Sequence, residues 1–192
     1  MSNHIKSKIL NDKEFNEALG TITNSWGRRD IDSAFAKIDE LMPKVTPEMK
    51  AQCLLFKGTI RKDQGLTEAR KEWLEALPIS RTGSFVRACL EYEIGVSFET
   101  ENRFAEARNY YRLAIETCAI GDEFSGNKQL EAYLALNRSK ILPGDKAIIS
   151  AALSKSWRVL ELPGEPDLTG PVNSIMKLCE GFSEQVRRTK ES

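Results

Sequence analysis

The chain has 192 residues, of which 41% are hydrophobic and 29% charged, and its 28 basic and 28 acidic residues give zero net charge. This length can bury one sizeable core, and the balanced charge disfavours a nucleic-acid-binding protein, which usually has a strongly basic face. No apolar run approaches the roughly 20 residues that cross a bilayer, and the first residues lack the apolar centre of a signal peptide. We therefore expect a cytoplasmic protein that binds neither nucleic acid nor membrane.

Apolar residues recur with the spacing of amphipathic helices along almost the whole chain. A stripe over Phe15–Trp26 predicts one helix, and Asp30 is the expected N-cap of the next, which Pro43 ends. Thr46 followed by Pro47 predicts the start of a third helix, because a capping hydroxyl and a proline favour the first turn. Alternation with the period of a strand is essentially absent, so the sequence predicts an all-α fold.

The predicted helices pair into four hairpins, followed by a helix that caps the last one. The hairpins cover about 12–42, 47–77, 84–120 and 128–162, and the capping helix covers 170–190. An alanine opens the second helix of each hairpin, at intervals of 35, 38 and 40 residues: Ala34, Ala69, Ala107 and Ala147. Because one hairpin cannot bury its apolar face alone, neighbouring hairpins must stack. We expect one domain, 1–192.

The third hairpin carries the most specific pattern, in which small residues stand where two helices must touch and large ones fill the space between them. The small residues are Gly95, Ala107 and Ala114, and the large ones are Ile94, Phe98 and Tyr111. This pattern resembles a tetratricopeptide repeat. The second hairpin shows it with a one-residue deletion at the turn, through Gly58, Ala69, Trp73 and Ala76, and the other two resemble it more weakly. The resemblance implies an α-solenoid that binds other proteins.

In this family the first helix of each hairpin lines a concave groove, so the resemblance also implies a set of binding residues. They are Gln52, Leu55, Thr59 and Lys62 in the second hairpin, Tyr92, Val96 and Glu99 in the third, Gln129, Ala132 and Leu136 in the fourth, and Leu19 and Trp26 at the N-terminal edge. The mixture of apolar and polar side chains suits a helix or an extended peptide. It disfavours the carboxylate clamp of chaperone-binding members, which place lysine and asparagine in the groove.

Tyr92 is the residue that we most expect to contact a partner, because aromatic residues with polar tips often anchor interfaces. Glu91 and Glu93 flank it, and acids outnumber bases from Glu91 to Glu123. This excess favours a basic partner if the acids form one patch. The alternative is that they are ordinary solvated helix faces.

Histidine is scarce and the cysteines are isolated, and the plentiful carboxylates show no spacing that singles out an acid–base pair. His4 is the only histidine and stands near the N-terminus. The four cysteines stand singly among apolar neighbours, which indicates buried thiols rather than disulfides or metal ligands: Cys53, Cys89, Cys118 and Cys179. The sequence also has no glycine-rich phosphate loop. We expect a protein that is not an enzyme and needs no cofactor or metal.

Together these observations favour a binding module that captures one protein or peptide partner. It could be a stand-alone inhibitor, such as an immunity protein that neutralises a toxin, or a small chaperone or adaptor. A self-associating scaffold is the alternative from another class, with Leu10–Phe15 as its contact face. We accordingly expect a monomer or a weak homodimer. A nucleic-acid or small-ligand regulator would need a basic stripe that the sequence lacks.

Overall fold

The computed structural model describes residues 9–62, 65–121, 128–129, 131–132, 135, 145–159 and 164–177. These residues form helices and short connections and include no strand, which confirms the all-α fold. The chain divides after Ser80 into two compact units, Met1–Ser80 and Arg81–Ser192. The division falls between the ranges predicted for the second and third hairpins. Among the described helices, none is both long and apolar enough to cross a membrane.

The first unit contains two helical hairpins. Its helices are α1 (Asp12–Gly27), α2 (Ile31–Leu41), α3 (Pro47–Arg61) and α4 (Leu66–Ala76), with short 3-10 turns over Met42–Lys44 and Leu77–Ile79. Helix α1 packs on α2, and α3 packs on α4. The two helix pairs thus cover residues 12–41 and 47–76.

Local hydrogen bonds explain where these helices begin. Asn11 and Glu14 form a reciprocal capping box at α1, with both bonds 3.0 Å long. Asp30 and Thr46 accept main-chain N–H bonds of 3.2 and 3.4 Å at the starts of α2 and α3, which confirms both predicted caps. Pro43 lies in the 3-10 turn that follows α2, because proline cannot continue the main-chain bonds of an α-helix.

An apolar cluster lies within the first unit, and it uses the predicted helix stripes. Its buried members are Phe15, Leu19, Ile22, Ala34, Ile38, Leu41, Met49, Cys53 and Ile60. Trp26 is half-buried and packs against this cluster at its edge. The same residues that set the 3.6-residue period in the sequence thus supply the burial that stabilises the unit.

The second unit contains the third hairpin and further helices. The hairpin consists of α5 (Phe85–Thr100) and α6 (Phe104–Ile120), and a later helix spans Asp145–Val159. Residues 128, 129, 131, 132, 135 and 169–177 are also helical. The predicted fourth hairpin and capping helix are therefore described only in part, and Leu136 and Cys179 lie outside the described residues. A buried cluster joins these elements: Ala114, Ile115, Ala132, Ile149 and Val172.

A glycine faces a buried aromatic ring in both the second and the third hairpin. A β-carbon on Gly58 would lie 2.5 Å from Cδ1 of Trp73, and one on Gly95 would lie 2.6 Å from Cε1 of Tyr111. Trp73 is 0% and Tyr111 1% exposed, so neither ring can move aside into solvent. The two hairpins therefore use the same close helix contact, with one residue fewer between glycine and ring in the second.

Candidate functional site

The candidate site is a patch of half-buried side chains on α5, with one contribution from the helical residues that begin at position 128. Tyr92, Val96 and Glu99 follow one another at helical spacing, so they share a face of α5. Glu93 stands beside them, and Lys128 reaches the Tyr92 ring. We call these five residues the Tyr92 surface.

Tyr111 of α6 holds the α5 part of this surface in place. It lies against Gly95, between Tyr92 and Glu99. The Tyr92 and Tyr111 ring centroids are 5.8 Å apart with an interplanar angle of 41°, a favourable tilted arrangement. The Tyr111 hydroxyl donates a 2.5 Å hydrogen bond to Oε2 of Glu99. Because Gly95 has no side chain, one buried ring can fix residues on two successive turns of α5.

Lys128 lies over the Tyr92 ring, and its charge is well supported there. Its Nζ is 4.3 Å from the ring centroid and donates a 2.6 Å bond to Oε2 of Glu131. Burial opposes the charged form, but the bond to Glu131 and the nearby carboxylates of Glu131 and Glu93 outweigh it, so the pKa of Lys128 is raised. The ammonium therefore holds the Tyr92 ring by a cation–π contact.

Glu91 lies below this surface rather than on it. Its side chain accepts a 2.6 Å bond from Oγ1 of Thr117 and a 3.0 Å bond from Nε of Arg87, and the residue is only 1% exposed. Burial raises the pKa of the Glu91 carboxyl, although Thr117 and Arg87 oppose the shift. This carboxylate thus links α5 to α6, and it is not the surface acid that the sequence suggested.

Three other described acids of the 91–123 segment form ion pairs within the second unit. Glu101 and Glu106 pair with Arg103 at 3.7 and 2.6 Å, and Glu116 pairs with Arg112 at 3.7 Å. These pairs offset part of the negative charge that the sequence showed, whereas the Tyr111 hydroxyl that bonds Glu99 is neutral and leaves the charge of Glu99 in place. The described acids therefore do not form one unpaired acidic patch.

Gln129 is buried, whereas the resemblance implied that it lines an exposed groove. It is 4% exposed, and its Nε2 donates to the main-chain oxygen of Ile115 at 3.5 Å. The side chain is buried because it satisfies a carbonyl of α6 next to the apolar cluster of the second unit. Gln129 is therefore a packing residue in this structure.

Besides Leu19, which is buried in the apolar cluster, and Gln52, four predicted binding residues belong to the first unit. Leu55 and Thr59 are half-buried on α3, where the Leu55 carbonyl accepts bonds from Oγ1 of Thr59 at 2.9 Å and from Nε1 of Trp73 at 3.3 Å. Lys62 follows α3 and is exposed, and Trp26 packs on the core edge. The structure thus brings Tyr92, Val96, Glu99 and Glu93 together in one unit and places these four in the other.

Sequence reasoning did not identify Lys128 as part of the site. The available signal was its spacing from Glu131, which suits an ion pair one turn apart on a helix. Many surface lysines have such a partner, so the spacing did not distinguish this one. Its position over Tyr92 depends on how two separate helices pack, which no local pattern encodes.

The cysteines have the environment expected of inert thiols. Cys53, Cys89 and Cys118 are buried and are not part of a disulfide, and burial raises the pKa of Cys53 and of Cys89 to about 12. They are consequently protonated near neutral pH and weakly nucleophilic. Within the residues that the structure describes, no group of three or more potential metal-binding side chains comes together.

No protein-family model, no curated protein and no solved structure matches the chain. Its function is therefore inferred from its own residues and their contacts.

Proposed function

We propose that the chain is a non-enzymatic protein-binding module whose second unit holds one segment of a protein partner against the Tyr92 surface. The observation that carries this proposal is the position of Tyr92, a half-buried aromatic ring fixed between Tyr111 and Lys128. A ring that is already ordered loses little conformational freedom when a partner binds. Aromatic anchors of this kind contribute much of the affinity at interfaces.

The wider α-solenoid of about four tetratricopeptide-like hairpins is part of the same proposal. It is supported by the repeated glycine–aromatic contact, at Gly58 with Trp73 and at Gly95 with Tyr111. Helical hairpins of this type commonly use the first helix of each pair for binding. Helix α5, which carries Tyr92, is the first helix of its hairpin.

The composition of the surface indicates what the partner segment contains. Tyr92 and Val96 offer an apolar area, so the segment presents at least one apolar side chain. Glu93, Glu99 and Lys128 surround that area with charges of both signs, so polar residues flank the apolar one. Charge reversal at Glu93 tests a preference for a basic partner without breaking the bond that Glu99 accepts from the buried Tyr111 hydroxyl.

Two forms of this function differ in what happens to the partner. A stand-alone inhibitor, such as an immunity protein, forms a 1:1 complex in which the partner's activity is blocked. A small chaperone or adaptor leaves the partner active after release or delivers it elsewhere. Adding the chain to a purified partner and measuring the partner's activity separates these forms.

Peptide selection followed by mutation tests the proposal. Peptides are selected from a random library on the purified chain, and their affinities are measured by fluorescence anisotropy. We expect Val96→Arg to weaken the selected peptides by at least about tenfold, the loss of about 1.4 kcal/mol of binding free energy. Ala105→Arg, which adds the same side chain at an exposed position of α6, should change the affinities less than about twofold.

The controls concern folding and self-association. Both variants must retain the helical circular dichroism and the melting temperature of the wild type. Light scattering coupled to size exclusion reports whether the chain is a monomer, as the binding module requires, or a scaffold that self-associates. Peptides that bind Val96→Arg as tightly as wild type would remove the Tyr92 surface from consideration, and a selection that enriches no binder would contradict the proposed function.

A further inference from the structure

The first hairpin contains a pocket between α1 and α2 that lies in the first unit, separate from the Tyr92 surface. Its volume is about 250 Å³. Four apolar side chains line it: Leu10, Ala18, Ile22 and Leu41. The main-chain N–H of Leu10 donates a 2.8 Å bond to the carbonyl of Lys44, which ties the segment before α1 to the turn after α2. The pocket is therefore closed on one side by a fixed main-chain contact.

Lys37, a half-buried residue, also lines this pocket. Its Nζ donates a 2.6 Å bond to Oγ of Ser25, and this hydroxyl is also 3.4 Å from Oγ of Ser33. Ser25 is 7% exposed, so a buried hydroxyl orients the Lys37 side chain. A lysine ammonium has three donors, and within the described residues no carboxylate forms an ion pair with Lys37. The positive charge is thus held at the pocket by a neutral group.

With Lys37 included, the charged side chains that line the pocket are positive on balance. Lys44 and Glu40 both line it from exposed positions, and in the part of the chain that the structure describes neither side chain belongs to an ion pair. Two ammonium groups therefore face one carboxylate around an apolar interior. Partly desolvated charge of one sign attracts a ligand of the other sign more strongly than it would in water.

We infer that this pocket binds a small amphipathic anion, an aliphatic or aromatic group that carries a carboxylate. The apolar part lies against Ile22 and Leu41, and the carboxylate accepts a hydrogen bond from Nζ of Lys37. A cavity of about 150 Å³ can hold benzene, so the volume here admits a group of roughly six to ten heavy atoms. A free short-chain acid and the carboxyl-terminal residue of a peptide both present this chemistry.

NMR titration of the ¹⁵N-labelled chain with hexanoate, hexanol and hexylamine tests the inference. We expect hexanoate to shift the amide signals of pocket residues such as Thr21 and Leu41 and to saturate them, with a dissociation constant of about 1 mM, typical of a ligand of this size. Hexanol should bind at least about fivefold more weakly, and hexylamine more weakly still. Equal binding of hexanoate and hexylamine, or no saturable shift from hexanoate, would overturn the inference.

Two variants separate ligand binding from a structural role of Lys37. Lys37→Met should weaken hexanoate by at least about fivefold and leave hexanol almost unchanged, whereas Lys13→Met, at an exposed lysine of α1 outside the pocket, should change neither. Ala18→Leu should fill the pocket and abolish both. If Lys37 only stabilised the hairpin, its substitution would lower the melting temperature and leave the hexanoate-to-hexanol ratio at the wild-type value, which would contradict the inference.

A peptide that ends in leucine distinguishes the two sources of the carboxylate. If this peptide binds more tightly than hexanoate, and if amidation of its terminus abolishes the binding, the pocket is assigned to a peptide carboxyl terminus. Tighter binding of hexanoate assigns it to a free acid. Because both outcomes include saturable binding of hexanoate, both support an anionic group at Lys37, and equal binding of the free-acid and amidated peptides would exclude the peptide terminus as its source.

Discussion

Replacing Gly58 by alanine tests the helix contact on which the second hairpin depends. Alanine favours a helix over glycine by about 1 kcal/mol, so a change at an uncrowded position would stabilise the chain. At Gly58 the added β-carbon would instead lie 2.5 Å from Cδ1 and 2.7 Å from Cε2 of Trp73. Trp73 is fully buried, so either the ring or the whole of α4 must move away from α3.

The structure sets the size of the expected loss. Overpacking a core by one methyl group costs about 1–3 kcal/mol, and a fully buried indole places this site at the upper end. Movement of the ring also strains the 3.3 Å bond from Nε1 of Trp73 to the Leu55 carbonyl, whose loss costs about 1 kcal/mol more. After the gain in helix propensity, Gly58→Ala should destabilise the chain by about 2–3 kcal/mol, or about 5–10 °C in melting temperature.

Urea unfolding followed by circular dichroism measures this effect, and two further glycines provide controls. Gly20→Ala should stabilise by about 0.5–1 kcal/mol, because a β-carbon there meets nothing within 4 Å. Gly95→Ala should destabilise, because its β-carbon meets Tyr111. In the double variant Gly58→Ala/Trp73→Leu the two losses should be less than additive by at least about 1 kcal/mol. A stabilising Gly58→Ala would refute the assigned packing of α3 on α4.

Two other groups of side chains give measurable expectations. Burial raises the pKa of Glu91. The stability that Glu91 contributes is therefore complete below its ordinary pKa and is lost as pH rises through the raised pKa. In urea unfolding, the wild type should gain stability relative to Glu91→Gln as pH falls from 7 toward 4.5. The hydrogen bond from Arg103 lowers the pKa of Glu106 below its ordinary value of 4.5, so its contribution is present above that value and is lost as pH falls below it. Relative to Glu106→Gln, the wild type should therefore lose stability as pH falls below 4.5, and a gain there would contradict the assignment. With their pKa values raised to about 12, Cys53 and Cys89 should react with a thiol-specific reagent only after unfolding, and fast labelling of the native chain would show that they are accessible.

The sequence by itself determined the helices and most of their inward faces. Asp30 and Thr46 were identifiable as caps because capping depends on residues within one turn of each other. The burial of Trp73 and Tyr111 followed from helical spacing and from the glycines opposite them. In each case the information is local, or it repeats with the period of the helix.

The tertiary structure alone decided which polar groups are buried and which charges meet. The sequence suggested a surface position for Glu91. In the structure it accepts a hydrogen bond from Thr117, 26 residues away, and lies between two helices. The contacts of Gln129 with α6 and of Lys128 with α5 also depend on the packing of separate helices. The pocket beside Lys37 and Ser25 depends on tertiary structure too, because its walls come from two helices and the segments around them. A hydrophobic period shows which side of a helix faces inward, but the partner that a polar atom finds there depends on the packing of another helix.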